Sequence, residues 1–173
     1  MSAENSVTVS LGALLRNEWE PSNTAGYDPL ANEGDSNFLD VHLGWYDEDK
    51  SFPQLALNDV SAPAMGSNGY VGWNADGSGP IQGFRPRIDV VAFVGSVDHV
   101  DETPALLAKD LGDEVRRIVH GNAQALTDAV TGDQLCDHLA ALSKPVVSVN
   151  ANADPSRYSS RVEVQARIYE QPP

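Results

Sequence analysis

Residues 87–94, RIDVVAFV, constrain the fold of this chain more than any other segment. Apolar side chains occupy both alternating sets of positions, with Ile88 and Val90 on one face and Val91 and Phe93 on the other. A strand that is apolar on both faces is typical of the interior of a sheet, where something covers each side. The segment therefore predicts a central strand, around which a sheet has to be built.

Two pairs of alternating segments supply the other predicted strands. Residues 38–46 and 53–60 are close enough in sequence to form a hairpin, with Pro53 at a first-strand position where a missing N–H donor is tolerated. Residues 145–150 and 158–169 are joined by a turn-forming Asn-Ala-Asp-Pro segment. This second pair predicts a terminal hairpin.

Three segments have the periodicity of helices. Residues 7–19 repeat apolar side chains every three or four positions and end before Pro21. Residues 103–120 begin with a Thr-Pro pair suited to an N-cap and a first turn, and Gly121 follows as a stop. Residues 132–142 predict a third, shorter helix. Its capping-box residues and inward leucines are Thr131, Gln134, Leu135, Leu139 and Leu142.

The order of these elements predicts a single α+β domain over residues 1–173, with a mostly antiparallel sheet and two to three helices packed on one face. Residues 20–37 are rich in turn formers and predict a long loop. Residues 61–84 contain six glycines and two prolines. They predict either an arm that lies against a neighbouring chain, or a loop or short hairpin of its own domain that pairs 70–73 with 81–84.

The charge of the chain restricts what it can bind. It has 25 Asp and Glu against 11 Lys and Arg, a net charge of −14 at pH 7. Such a surface repels nucleic-acid phosphates and anionic lipids. Only three of the cations are lysines, and the acids are spread along the chain. This favours adaptation to high salt in a halophilic host, the alternative being an ordinary acidic protein.

The sequence lacks two kinds of segment, and its single cysteine restricts it further. There is no apolar run long enough to span a membrane, and the first residues have neither the basic region nor the long apolar stretch of a secretory signal. The single cysteine, Cys136, excludes a disulfide framework and a cysteine zinc cluster, and it falls beside a predicted core position.

Residues with catalytic potential do not converge on a motif. No phosphate-binding loop, dinucleotide-binding motif or nucleophile elbow is present. Residues 98–102 include three acids that precede a helix, and 47–49 lack the spacing of an EF-hand. The side chains of Asp133, Asp137 and His138 lie on a solvated helix face. The histidines are not spaced as metal ligands; they are His42, His99, His120 and His138. The sequence therefore predicts no catalytic residue, no cofactor and no metal site.

The pattern as a whole nevertheless has a counterpart. A short N-terminal helix is followed by a strand pair whose second strand opens with proline, as in 53–57, and by a strand like 87–94. A helix rich in Leu and Val follows at 106–119, and a strand at 161–169 closes the chain. In element order and hydrophobic pattern, nearly the whole chain resembles the tail terminator and tail-completion proteins of long-tailed bacteriophages. These are small α+β neck proteins that form rings.

The resemblance implies a structural virion protein rather than an enzyme. It would form a ring, expected to be a hexamer, that caps the head-proximal end of the tail tube and joins the head connector or stopper protein. DNA would pass through the lumen without specific binding, and assembly would take place in the host cytoplasm. With the saline composition, the implied virus infects a haloarchaeon or similar host. Residues 20–37 and 61–84 depart from the family pattern.

A second function remains open on the sequence alone. The chain could be a small-ligand or metal-binding domain of a halophile, an enzyme included. This alternative predicts a monomer with a deep pocket and converging polar groups. A ring-forming subunit instead needs head-to-tail interfaces whose rotation closes.

Overall fold

The computed structural model describes residues 3–61, 63–65, 70–73, 77, 79–95, 103–124, 126–153 and 156–170. Within these ranges the chain forms two helices, a 3-10 turn at Pro21–Asn23 and eight strands. The helices are α1 (Ala3–Glu18) and α2 (Pro104–Gly121). The strands are β1 (Asp40–Leu43), β2 (Gln54–Ser61), β3 (Tyr70–Trp73), β4 (Pro80–Phe84), β5 (Arg87–Val94), β6 (His138–Ala141), β7 (Val146–Asn150) and β8 (Arg157–Glu170).

The eight strands belong to one sheet, built around the long strand β8. On one side β8 pairs with β5 and then with β4, which are separated only by Arg85 and Pro86. On the other side it pairs with β7 and then with β6. Strand β2 lies beyond β5, β1 beyond β2, and β3 pairs with β4. The fold is thus α+β with a mixed sheet, as only the β1–β2 pair is parallel among these strands.

Three strand predictions are confirmed. Strand β5 is central, with antiparallel neighbours β2 and β8 on its two sides. Strands β7 and β8 form the predicted terminal hairpin. In 61–84 the structure contains the short hairpin, which pairs Tyr70–Trp73 with Pro80–Phe84. Because β4 also pairs with β8, part of this glycine-rich segment belongs to the sheet.

The predicted hairpin of 38–46 with 53–60 is wrong. The first strand is shorter than predicted, and it runs parallel to the second, from Asp40 opposite Gln54 to Leu43 opposite Leu57. Because the two strands are parallel, residues 44–53 have to carry the chain from the end of β1 back to the end of the sheet at which β1 begins. The side chain of Gln54 secures this return, because its amide nitrogen donates to the carbonyls of Asp47 (2.7 Å) and Lys50 (3.0 Å). The local sequence pattern gave no indication of this direction.

The third predicted helix, 132–142, is also wrong. Residues 138–141 form strand β6, which pairs with β8. Leu139 is buried as predicted, but Leu142 is half exposed, and Gln134 forms an isolated bridge with Thr127 instead of a cap. The second side of β8 has backbone groups that need partners, and an extended segment supplies them where a helix would not. Tertiary pairing has overridden the local helical pattern.

Both long helices are confirmed, and they pack on one face of the sheet. Helix α2 lies on β5 and β8, while α1 lies on β1 and β2. The Thr103 side chain accepts a hydrogen bond from the Leu106 N–H, as its predicted capping role requires. The core joins alternate strand residues to both helices and includes Leu11, Leu15, Leu55, Leu57, Ile88, Val90, Leu111, Ile118, Val162 and Val164. Within the described ranges, neither helix is long and apolar enough to cross a membrane.

The segment 20–37 is a loop, as predicted, but it is anchored. The indole Nε1 of Trp19 donates to Thr24 Oγ1 (3.1 Å) and to the Tyr27 carbonyl (3.0 Å). Thr24 and Tyr27 are both buried. The loop is therefore held against the core at its start rather than projecting from it.

Candidate functional site

A polar cluster at the start of β1 is the arrangement closest to a ligand site. The carboxylate of Asp40 is almost fully buried and faces two basic side chains. Its Oδ1 lies 3.1 Å from His42 Nδ1, and its Oδ2 lies 3.3 Å from Lys50 Nζ. An open cleft of about 400 Å³ lies alongside, with Arg16 and Glu33 also in its wall.

The imidazole and the carboxylate of this cluster are held by contacts within the chain. The second nitrogen of the His42 ring, Nε2, lies 2.9 Å from the carbonyl oxygen of Trp45. Both ring nitrogens and both Asp40 oxygens are thus engaged within the chain. A general base needs a nitrogen within reach of a substrate proton, and here that nitrogen is turned to the backbone. The arrangement fixes the crossover of residues 44–53 onto β1.

The other groups singled out in the sequence are not brought together. His120, His138, Asp133 and Asp137 are exposed, and the last three lie in the loop before β6 and at its first residue rather than on one helix face. His99 and residues 98–102 lie outside the described residues. Across the part of the chain that is described, no group of three or more His, Cys, Asp or Glu side chains could hold a metal ion.

Cys136 is buried, as expected from its position beside the core. Burial raises the pKa of the Cys136 thiol. A thiol with a raised pKa holds little thiolate near neutral pH, and the thiolate is the nucleophile. The geometry therefore gives this cysteine a packing role.

The far edge of the sheet, at β7, is open. Strand β7 pairs with β8 on one side, and within the described ranges no strand pairs with its other side. Its sequence, VVSVN, has no charge, and Val146 and Val149 are 70% and 57% exposed. Protein edge strands are usually protected by charges or prolines because their free N–H and C=O groups pair with other strands. Here Lys144 and Pro145 precede the strand but do not interrupt it.

The opposite edge of the sheet is open over a similar length. Strand β1 ends its pairing at Leu57, so the Asn58–Ser61 part of β2 has a partner only on the β5 side. Beside it lies a groove of about 470 Å³ between α1 and the strand ends. Exposed apolar side chains border this region: Val9, Leu43 and Val60. Asp59 lies at the groove and accepts a hydrogen bond from the Thr8 hydroxyl.

Arginines gather on the face of the sheet that the helices leave uncovered. By strand alternation Arg87 and Arg161 share this face with Asp89 and Glu163. Arg161 pairs with the buried Asp89 (2.8 Å), and Arg87 pairs with Glu163 (3.4 Å). The face is thus locally balanced in a chain whose net charge is −14. The surplus of carboxylates is carried elsewhere.

We expect that surplus to make stability depend on salt. Self-repulsion of a large net charge destabilises the compact state, and ions screen it. We expect the free energy of unfolding to rise between about 0.1 M and about 2 M KCl. Urea titrations at fixed KCl concentrations measure it directly. A stability that is flat or falling across this range would contradict adaptation to high salt.

Sequence reasoning missed the two open edges and the buried polar groups. The order of strands in a sheet is not written in any local pattern, so no signal identified β7 as an edge. Glu114 did leave a signal, because it lies among the buried positions of α2, between Leu111 and Ile118. A charged residue in an apolar stripe indicates a buried ion pair.

No protein-family model matches the chain, and no curated protein is significantly similar to it.

Proposed function

We propose that this chain is a structural subunit that assembles with copies of itself into a ring. The observation that carries the proposal is the pair of open edges on opposite sides of one sheet. One edge is the uncharged strand β7, and the other is the Asn58–Ser61 part of β2 with its apolar groove. The two edges differ, so joining one to the other is a head-to-tail contact. Repeated head-to-tail contacts close into a ring when the rotation allows it.

We further propose that the ring belongs to the neck of a viral tail, as a tail terminator or tail-completion protein. The support is the order and hydrophobic pattern of the elements, from the N-terminal helix to the closing strand. In this role the ring is a hexamer that contacts the tail tube protein on one side and the head connector or stopper on the other. The negative charge suits a lumen through which DNA passes without sticking, because it repels phosphates.

The mass of the protein in multimolar KCl tests this function. Light scattering coupled to gel filtration should give about six times the 18.5 kDa of one chain. Electron microscopy of the same fraction should show a ring with a central hole. A monomer at all accessible concentrations would overturn the proposal, because a terminator acts only as an assembly.

The same measurement judges the ligand-binding alternative. The cleft beside Asp40 is its most favourable location, yet the polar atoms there are engaged with one another. A monomer that releases a bound small molecule on denaturation would favour this alternative. A ring without such a molecule would exclude it as the principal function.

A further inference from the structure

We propose that strand β7 of one subunit pairs with the free edge of β2 in the next subunit, which continues the sheet from copy to copy. This inference rests on the proposed function, and it names the two surfaces that meet. The contact joins Val146–Asn150 to the Asn58–Ser61 part of β2. The two segments have five and four residues, so a short ladder satisfies the backbone groups of both edges.

Side chains on the helix side of the sheet fit this pairing. Strand alternation places Val149 on the same face as Ser160, next to α2, because Val147 pairs with Ser160. The groove beside Asn58–Ser61 lies on that same face, between α1 and β2. When the sheet continues from one copy to the next, Val149 lies over the groove. Its apolar side chain then covers Val9 and Leu43, which are exposed in the single chain.

The charges around the two segments are opposite. Asp59 is the only charged residue in Asn58–Ser61. Lys144 is exposed two residues before β7, with no acid between it and Asn150. The segment that contains β7 thus carries a cation and no acid, and the β2 edge that receives it carries an acid and no cation. Pairing β7 with a second β7 would instead leave the groove uncovered and bring two cationic segments together. These contrasts favour the head-to-tail contact.

Cross-linking tests the contact directly. A Val9→Cys, Val149→Cys double variant is treated in KCl with a short bis-maleimide reagent. We expect a ladder of covalent oligomers on a denaturing gel, because each copy then links to two neighbours. The native Cys136 is buried and should remain unlabelled. Each single variant is the matched control, and neither should give a ladder.

The outcomes of this experiment distinguish failure of the edge contact from failure of the proposed function. A ring by mass without a ladder would overturn the edge contact and leave the proposed function standing. A monomer by mass would overturn both. Covalent dimers from Val149→Cys alone would show β7 paired with itself, which contradicts the head-to-tail contact.

A charge placed on the strand gives an independent measurement. Val149→Glu introduces a carboxylate over the groove, whose wall includes Asp59, so the concentration at which the ring dissociates should rise roughly tenfold or more. The matched control is Val130→Glu, because Val130 is 87% exposed, lies on a turn, and belongs neither to β7 nor to the residues that line the groove. Both variants should keep the circular dichroism of the parent. Equal effects of the two substitutions on assembly would overturn the contact.

Discussion

Replacing Glu114 with glutamine is expected to lower the free energy of unfolding by about 3 kcal/mol near pH 7. The Glu114 side chain is 1% exposed and accepts four hydrogen bonds. Two come from Arg117, at 2.6 and 2.8 Å, one from the Asn23 amide at 2.8 Å, and one from the Glu20 backbone at 2.9 Å. An amide keeps the size of the side chain but faces Arg117 with a second donor. The substitution therefore weakens the link between α2 and the start of the anchored loop.

The pH dependence of this effect has a definite sign. Burial raises the pKa of Glu114, but the hydrogen bonds from Arg117, Asn23 and Glu20 outweigh it and leave the pKa below its ordinary value. A carboxyl whose pKa is lowered by folding stabilises the folded state fully above its ordinary pKa of 4.5, and the contribution is lost as the pH falls through its folded pKa. The difference between the parent and Glu114→Gln should therefore shrink in acid.

Urea titrations across pH, at fixed KCl, measure both effects. The matched control is Asp113→Asn, one residue earlier on the same helix. Asp113 is 41% exposed and pairs with Lys109 and Arg116 at the surface, so its loss should cost no more than about 1 kcal/mol. Similar costs for the two substitutions would mean that the Glu114 cluster does not stabilise the fold as its geometry predicts.

Replacing Gly112 with valine is expected to destabilise the chain by about 3 kcal/mol. A β-carbon at this position would lie 2.5 Å from Ser160 Oγ and 2.7 Å from Pro145 Cβ. Neither neighbour can retreat easily, because Ser160 is buried in β8 and Pro145 is a rigid ring at the start of β7. Helix α2 therefore approaches the sheet as closely as a glycine allows. The roughly 1 kcal/mol that a glycine costs inside a helix is offset by this close packing.

Gly121 of the same helix supplies the control. A β-carbon there would have nothing within 4 Å, so Gly121→Val should change stability by less than about 0.5 kcal/mol. Thermal unfolding of both variants at one KCl concentration provides the comparison. Because Pro145 leads into β7, Gly112→Val should also weaken ring formation, which light scattering would detect. An unaltered melting temperature for Gly112→Val would contradict the close approach of α2.

Much of the local structure followed from residue patterns. The two apolar faces of 87–94 predicted β5 as a central strand, because something has to cover each side. The alternation of 158–169 predicted β8, because the period of a strand is two and the core accepts one set of its side chains. The stripe and the Thr-Pro start of 103–120 predicted α2 and its cap. The hairpin that pairs 70–73 with 81–84 was one of the alternatives for its segment, and the structure contains it as β3 paired with β4.

Two predictions failed where a distant partner decided the outcome. Residues 132–142 have helical spacing, but β8 needs a neighbour on its second side, and 138–141 supplies it. Residues 38–46 and 53–60 are near in sequence, but a buried Gln54 binds the crossover and the strands run parallel. In both cases the hydrogen bonds of a remote backbone outweighed a local preference.

The candidate interface shows the same division. The uncharged character of 146–150 can be read from the chain, as can the net negative charge of the whole protein and the position of Glu114 within an apolar stripe. The sequence by itself thus determined most of the helices and strands, and the net charge that the chain presents to solvent, since these depend on neighbours along the chain. Only the tertiary structure decided which strands lie at the edges and what lies beside them. Strand order results from long-range pairing, and no local periodicity records it.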